Sequence, residues 1–153
     1  MKKIMSAAIF MLLFAAAAAP VVYRDSSGRI TGTATTNGNQ TVYRDASGRV
    51  TGTSTQNGSR ITYRDASGRI TGTATQNGSQ TTYRDGRGQY SGTATQNGSN
   101  TTYRDRSGRI TGNATPSGNQ TIYRDGSGRT VGTANSSSNT PVTRDPYPRN
   151  TKK

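Results

Sequence analysis

The chain has 153 residues, 20 Lys plus Arg against 7 acidic residues and a formal charge of +13, with no Cys, His or Trp. Those absences exclude imidazole general-base chemistry, thiol nucleophiles and zinc sites built from the usual ligands, and every acid is Asp, never Glu. Apolar residues number 18 in positions 1–22 and 24 in the remaining 131, of which only 9 are Ile, Val, Leu or Phe, so an ordinary apolar core is excluded beyond the first segment.

Lys2 and Lys3 precede an apolar run from Ile4 to Ala19 broken only by Ser6, short of the roughly 20 residues of a bilayer span. The pattern predicts a signal peptide of bacterial type over residues 1–18, cut near Ala18 because Pro20 disfavours a later cut, with an uncleaved anchor as the alternative. Export to the periplasm, cell surface or extracellular space follows, with no membrane span after cleavage. Residues 19–22 are expected to be a linker. Without Cys, no disulfide staples the exported domain.

Tyr23, Tyr43, Tyr63, Tyr83, Tyr103 and Tyr123 open six copies of a 20-residue unit, Y-R-D-x-x-G-[RQ]-x-x-G-[TN]-[AS]-[TN], over residues 23–142. Glycine recurs every ten residues from Gly28 to Gly128, each after turn formers such as D-A-S-G at Asp45–Gly48 or T-Q-N-G at Thr55–Gly58, which predicts a positive φ at each. Between the turns lie segments rich in Thr, Tyr, Ile and Val, such as Arg49–Thr55 and Arg60–Arg64, which read as short strands. Strands joined by three- or four-residue loops are antiparallel neighbours, because a parallel return needs a crossover. The fold class is therefore all-β: tandem strand-turn-strand repeats, two strands per repeat, forming a long antiparallel β-meander or curled repeat sheet.

Loop length decides which side chains share a face. A three-residue loop with a glycine bulge sets Asp45 opposite Arg49 and separates Tyr43 from Val50. A four-residue loop places Tyr43, Val50, Tyr63, Ile70, Tyr83 and Tyr90 in one row together with Gly52 and Ser54. The second is favoured here, since a sheet with an apolar row on each face buries neither well. No single repeat buries enough to fold alone, so the array must be cooperative. The tail, residues 143–153, is basic and carries prolines, which suits an edge-protecting cap.

With Asp-x-x-Gly-Arg followed by Ile or Val, a Tyr two residues before the Asp and a Gly in the preceding turn, the chain resembles the YD repeats of RHS-type proteins over most of residues 23–134. The resemblance implies tandem β-hairpins, export and binding of carbohydrate or enclosure of a C-terminal toxin. Two departures stand out: Arg precedes the Asp where the family usually has Tyr, and no core module or toxin tip follows. Six repeats are too few to enclose a cargo.

The candidate ligand-binding residues are the repeated pairs Tyr23 and Arg24, Tyr43 and Arg44, Tyr63 and Arg64, Tyr83 and Arg84, Tyr103 and Arg104, and Tyr123 and Arg124. Tyr stacks on sugar rings, and Arg donates paired bonds to phosphate or carboxylate. The competing reading makes Tyr the sparse core and Arg a solvated partner of Asp. Each Asp is sufficiently explained as a turn residue, so no metal or cofactor is inferred. The expected function is a non-enzymatic envelope or surface scaffold for polysaccharide or another anionic polymer. Alternatives are a self-associating fibre subunit, an ice-binding threonine array at the T-G-T-A-T segments, and a disordered basic coat. Nucleic acid is expected only as an adventitious partner of the +11 chain left after Lys2 and Lys3 are removed.

Overall fold

The computed structural model describes residues 18–136, so all of the expected signal peptide except Ala18, and the whole of the basic tail, lie outside the described residues. Twelve strands follow one another: β1 (Ala18–Asp25), β2 (Ile30–Asn37), β3 (Gln40–Asp45), β4 (Val50–Asn57), β5 (Arg60–Asp65), β6 (Ile70–Asn77), β7 (Gln80–Asp85), β8 (Tyr90–Asn97), β9 (Asn100–Asp105), β10 (Ile110–Ser117), β11 (Gln120–Asp125) and β12 (Thr130–Ser136). Each is antiparallel to its neighbours in sequence, as the loop lengths require. The ends do not stay open, however: β1 pairs with β12, with Tyr23 opposite Ala134, and the meander closes into a barrel. Closure removes the edge that the tail was expected to cap. Residues 19–22, expected to be a linker, belong to β1, and Val21 is part of the core.

Two kinds of turn alternate along the chain and therefore occupy opposite ends of the barrel. In the first, Asp45 donates its N–H to the Arg49 carbonyl and Gly48 donates to the Asp45 carbonyl. Gly48 takes φ +84°, so this is a three-residue loop with a glycine bulge. The favoured four-residue loop is thus overturned. Its physical reason is the Asp, whose carboxylate accepts from the turn's own N–H groups and fixes the tighter form. The second turn, Gly58-Ser59 between Asn57 and Arg60, has only two central residues. The first is a glycine at φ +56° and the second has no positive φ, the pattern of a type II′ hairpin.

A second irregularity follows each Asp turn. Arg44 pairs with Val50, but Tyr43 pairs with Gly52, so one strand residue is skipped. The Tyr43, Val50 row is therefore broken as the three-residue loop demands, yet Tyr43 still shares its face with Gly52 and Ser54. That face is the inside. Tyr63, Tyr83, Tyr103 and Tyr123 are buried among Ala74, Ala94, Ala114 and Ala134, with Val21 and Ile61. The small residues are what make six inward rings fit: Tyr43 lies between Ala34 on one neighbouring strand and Gly52 on the other. The interior is also polar. The Tyr43 hydroxyl and Ser54 Oγ are 3.0 Å apart, and Thr36 and Thr41 share a hydroxyl hydrogen bond of 2.9 Å. A core of Tyr, Ala, Thr and Gly, with hydroxyl pairs such as these two bonded inside it, explains how so little aliphatic side chain suffices.

Candidate functional site

Successive residues of a strand point to opposite faces, and the Tyr-Arg pairs obey that rule. Tyr63, Tyr83, Tyr103 and Tyr123 are buried, while Arg44, Arg64, Arg84 and Arg104 are exposed and Arg24 and Arg124 half-buried on the outer wall; Tyr23 and Tyr43 are half-buried. The structure thus parts the candidate residues. The tyrosines are core, and the ring-stacking half of the expected ladder is withdrawn from any outside ligand. The six arginines remain together as a girdle.

Each girdle guanidinium is held over its own turn. Arg64 Nη1 donates to the Gly68 carbonyl at 2.8 Å, and Arg24, Arg44, Arg84, Arg104 and Arg124 make the same bond to the glycine four residues on at 2.8 to 3.2 Å. This takes one of five guanidinium donors and fixes the head at the level of the turn. The turn itself is pinned by the Asp. Asp45 Oδ1 accepts from Ser47 N at 2.9 Å, Ser47 Oγ at 2.6 Å and Arg49 N at 3.0 Å. The bond from Ser127 Oγ is the largest cause that holds the Asp125 carboxyl down at about 2, and Asp25, Asp45, Asp65 and Asp105 are lowered in the same way by Ser27, Ser47, Ser67 and Ser107.

Charge is therefore divided between the ends. Every arginine of residues 18–136 except Arg60 lies at the Asp-turn end, as do all six aspartates, giving at least two arginines to one aspartate in every repeat. The other end is built of Asn, Gly, Ser and Gln, and the described chain both enters at Ala18 and leaves at Ser136 there. Among the described residues no group of His, Cys, Asp and Glu comes together to hold a metal. The T-G-T-A-T segments put Thr73 and Thr75 outside, with Gly72 and Ala74 buried, so their threonines are spread around a closed wall and make no plane. One signal in the sequence could have located the cationic end: Arg brackets the Asp-x-x-Gly turns and, apart from Arg60, avoids the Asn-Gly and Ser-Gly turns that alternate with them.

No protein-family model matches the chain, and neither a curated protein nor a solved structure does.

Proposed function

We propose that the protein is an exported, non-enzymatic scaffold that binds an anionic envelope polymer, including acidic polysaccharide, through the arginine-bearing end of its barrel. The observation that carries this reading is the segregation of charge. A twelve-stranded barrel does not need its cations at one end, and the Asp turns are already completed by their own backbone donors, joined by a Ser hydroxyl in every turn but that of Asp85, with Arg–Asp ion pairs only at Arg49 and Arg129 among the described residues. Guanidiniums fixed at the rim by the glycine carbonyls are presented in advance, which lowers the ordering cost of gripping phosphate or carboxylate. The YD-like repeat belongs to the same reading, as the unit that builds the scaffold. The fibre alternative loses its means of assembly in the folded monomer, since closure pairs every strand on both sides.

The test is retention on immobilised acidic and neutral polysaccharides at about 150 mM salt, where screening limits diffuse attraction. The parent is retained on the acidic polymer alone. Replacing Arg44, Arg64, Arg84 and Arg104 by Lys keeps the charge and loses the paired donors, and lowers retention. Equal retention of parent and variant, or none of the parent, rejects the reading.

A further inference from the structure

The girdle carries more than charge. Across each Asp hairpin the arginine's partner is apolar in five repeats of six: Arg24 faces Ile30, Arg44 faces Val50, Arg64 faces Ile70, Arg84 faces Tyr90 and Arg104 faces Ile110. These five are the exposed large apolar side chains among the described residues, each 40 to 45% exposed. Packing does not demand them. In the sixth repeat the same position is Thr130, also exposed, opposite Arg124. A Thr is as good a strand residue on a solvated wall, so apolar side chains at the other five positions answer to something outside the barrel.

We infer that the arginine-bearing end docks on an anionic lipid surface, with the guanidiniums on the headgroup phosphates and the Ile, Val and Tyr side chains sunk among the headgroups. This rests on the reading that this end is the binding end, and it names the source of the anion. Charge complementarity supplies the first half, for among the described residues every arginine but Arg60 lies at this end. The alternation of guanidinium and aliphatic side chain at one level of the wall supplies the second, because a soluble polyanion rewards only the cation whereas a bilayer interface rewards both. Tyr90 fits that depth, with an apolar ring and a polar tip. The described chain enters and leaves the barrel at the opposite end, so among the described residues the docking end is built of hairpins.

The experiment is cosedimentation of the purified protein with phosphatidylcholine vesicles, with and without about one-third phosphatidylglycerol, beside retention on dextran sulfate as a lipid-free polyanion. The key variant changes Ile30, Val50, Ile70, Tyr90 and Ile110 to Thr, the residue that the sixth repeat already carries. Any contribution of residues 1–17 is common to parent and variant. The parent is expected to sediment with the anionic vesicles only, and the variant to lose about tenfold or more in vesicle affinity while keeping its dextran sulfate retention. A variant that binds the vesicles as well as the parent overturns the proposal. A parent that binds dextran sulfate but no vesicle also overturns it and leaves the polymer scaffold standing, whereas a parent that binds neither removes both. Should the fivefold variant fail to fold, Tyr90→Trp decides: its emission shifts to the blue on anionic vesicles if the ring inserts, and stays unshifted if it does not.

Discussion

Arg44 faces Val50 across β3 and β4, whereas Tyr43, one residue earlier, faces Gly52, so that the ladder skips Thr51. This skip lets five of the six repeats carry an aliphatic or aromatic residue on the outer wall and still return Gly and a small Ala or Ser to the interior beside the next Tyr. Repeat four makes the clearest test, because it has a tyrosine on each side. Tyr83 is 1% exposed and Tyr90 41%. Tyr83→Ala is expected to cost about 3 to 5 kcal/mol, as for other buried aromatics, and Tyr90→Thr no more than about 0.5 kcal/mol. Urea midpoints measure both. Equal costs would place the two rings on one face and refute the skipped register.

The Asp turns predict an acid limit to stability. A carboxyl whose pKa is lower folded than unfolded stabilises above its unfolded value, and that contribution fades as pH falls through the folded value. For Asp125 the window runs from the ordinary 3.8 down to about 2, and Asp25, Asp45, Asp65 and Asp105 shift in the same direction. The protein should therefore weaken between about pH 4 and pH 2. Changing Ser27, Ser47, Ser67, Ser107 and Ser127 to Ala should raise the carboxyl pKa values, read by NMR titration, and flatten that pH dependence. A Ser-to-Ala variant with unchanged titration would show that the hydroxyls do not set it.

Gly68 and Ser67 separate backbone from side-chain roles in the same turn. Gly68 sits at φ +83° with open space where a Cβ would lie, so a substitution there is penalised by conformation and not by crowding. Gly68→Val should lower stability by about 2 to 3 kcal/mol. Ser67→Ala removes the 2.6 Å bond to Asp65 and should cost about 1 kcal/mol, since the site is exposed. A reversed order in thermal or urea unfolding would contradict the turn geometry.

Repeats, strands and glycine turns were legible because each depends on neighbours in the chain: the ten-residue glycine beat maps onto positive φ from Gly28 to Gly128. Faces were legible only in part. That Tyr63 and Arg64 cannot share a face follows from the two-residue period of a strand, but the position of Ile70 depends on two bulges in succession, and nothing in the local composition distinguishes that from one longer loop. Closure was not legible at all. The repeat pattern is the same for an open and a closed sheet, and pairing of Tyr23 with Ala134 is decided by twist accumulated over all the strands between them. The burial of Val21, and the strand where a linker was expected, rest on that long-range pairing together with the pairing of β1 and β2.

Closure also predicts what happens when it is broken. Ending the chain at Arg129 removes β12 and leaves β1 and β11 each with an unpaired side, on strands rich in Thr, Tyr, Ile and Val with no proline in β11. Such edges pair with other copies of themselves, and because the repeats are nearly alike, each edge finds a matching strand in any register that is a multiple of one repeat. The truncated chain is therefore expected to form oligomers or fibres under conditions in which the full chain sediments as a monomer. A circular permutant offers the control. Ala18 and Ser136 lie at the same end, so a short linker joins them, and new termini at Gly78-Ser79 open a two-residue turn without removing a strand. That permutant should stay monomeric with a cooperative melt close to the parent's. Sedimentation velocity and thermal melting of the three proteins decide the matter: a monomeric, cooperatively folded truncation would show that the β1 and β12 pairing does not hold the barrel shut.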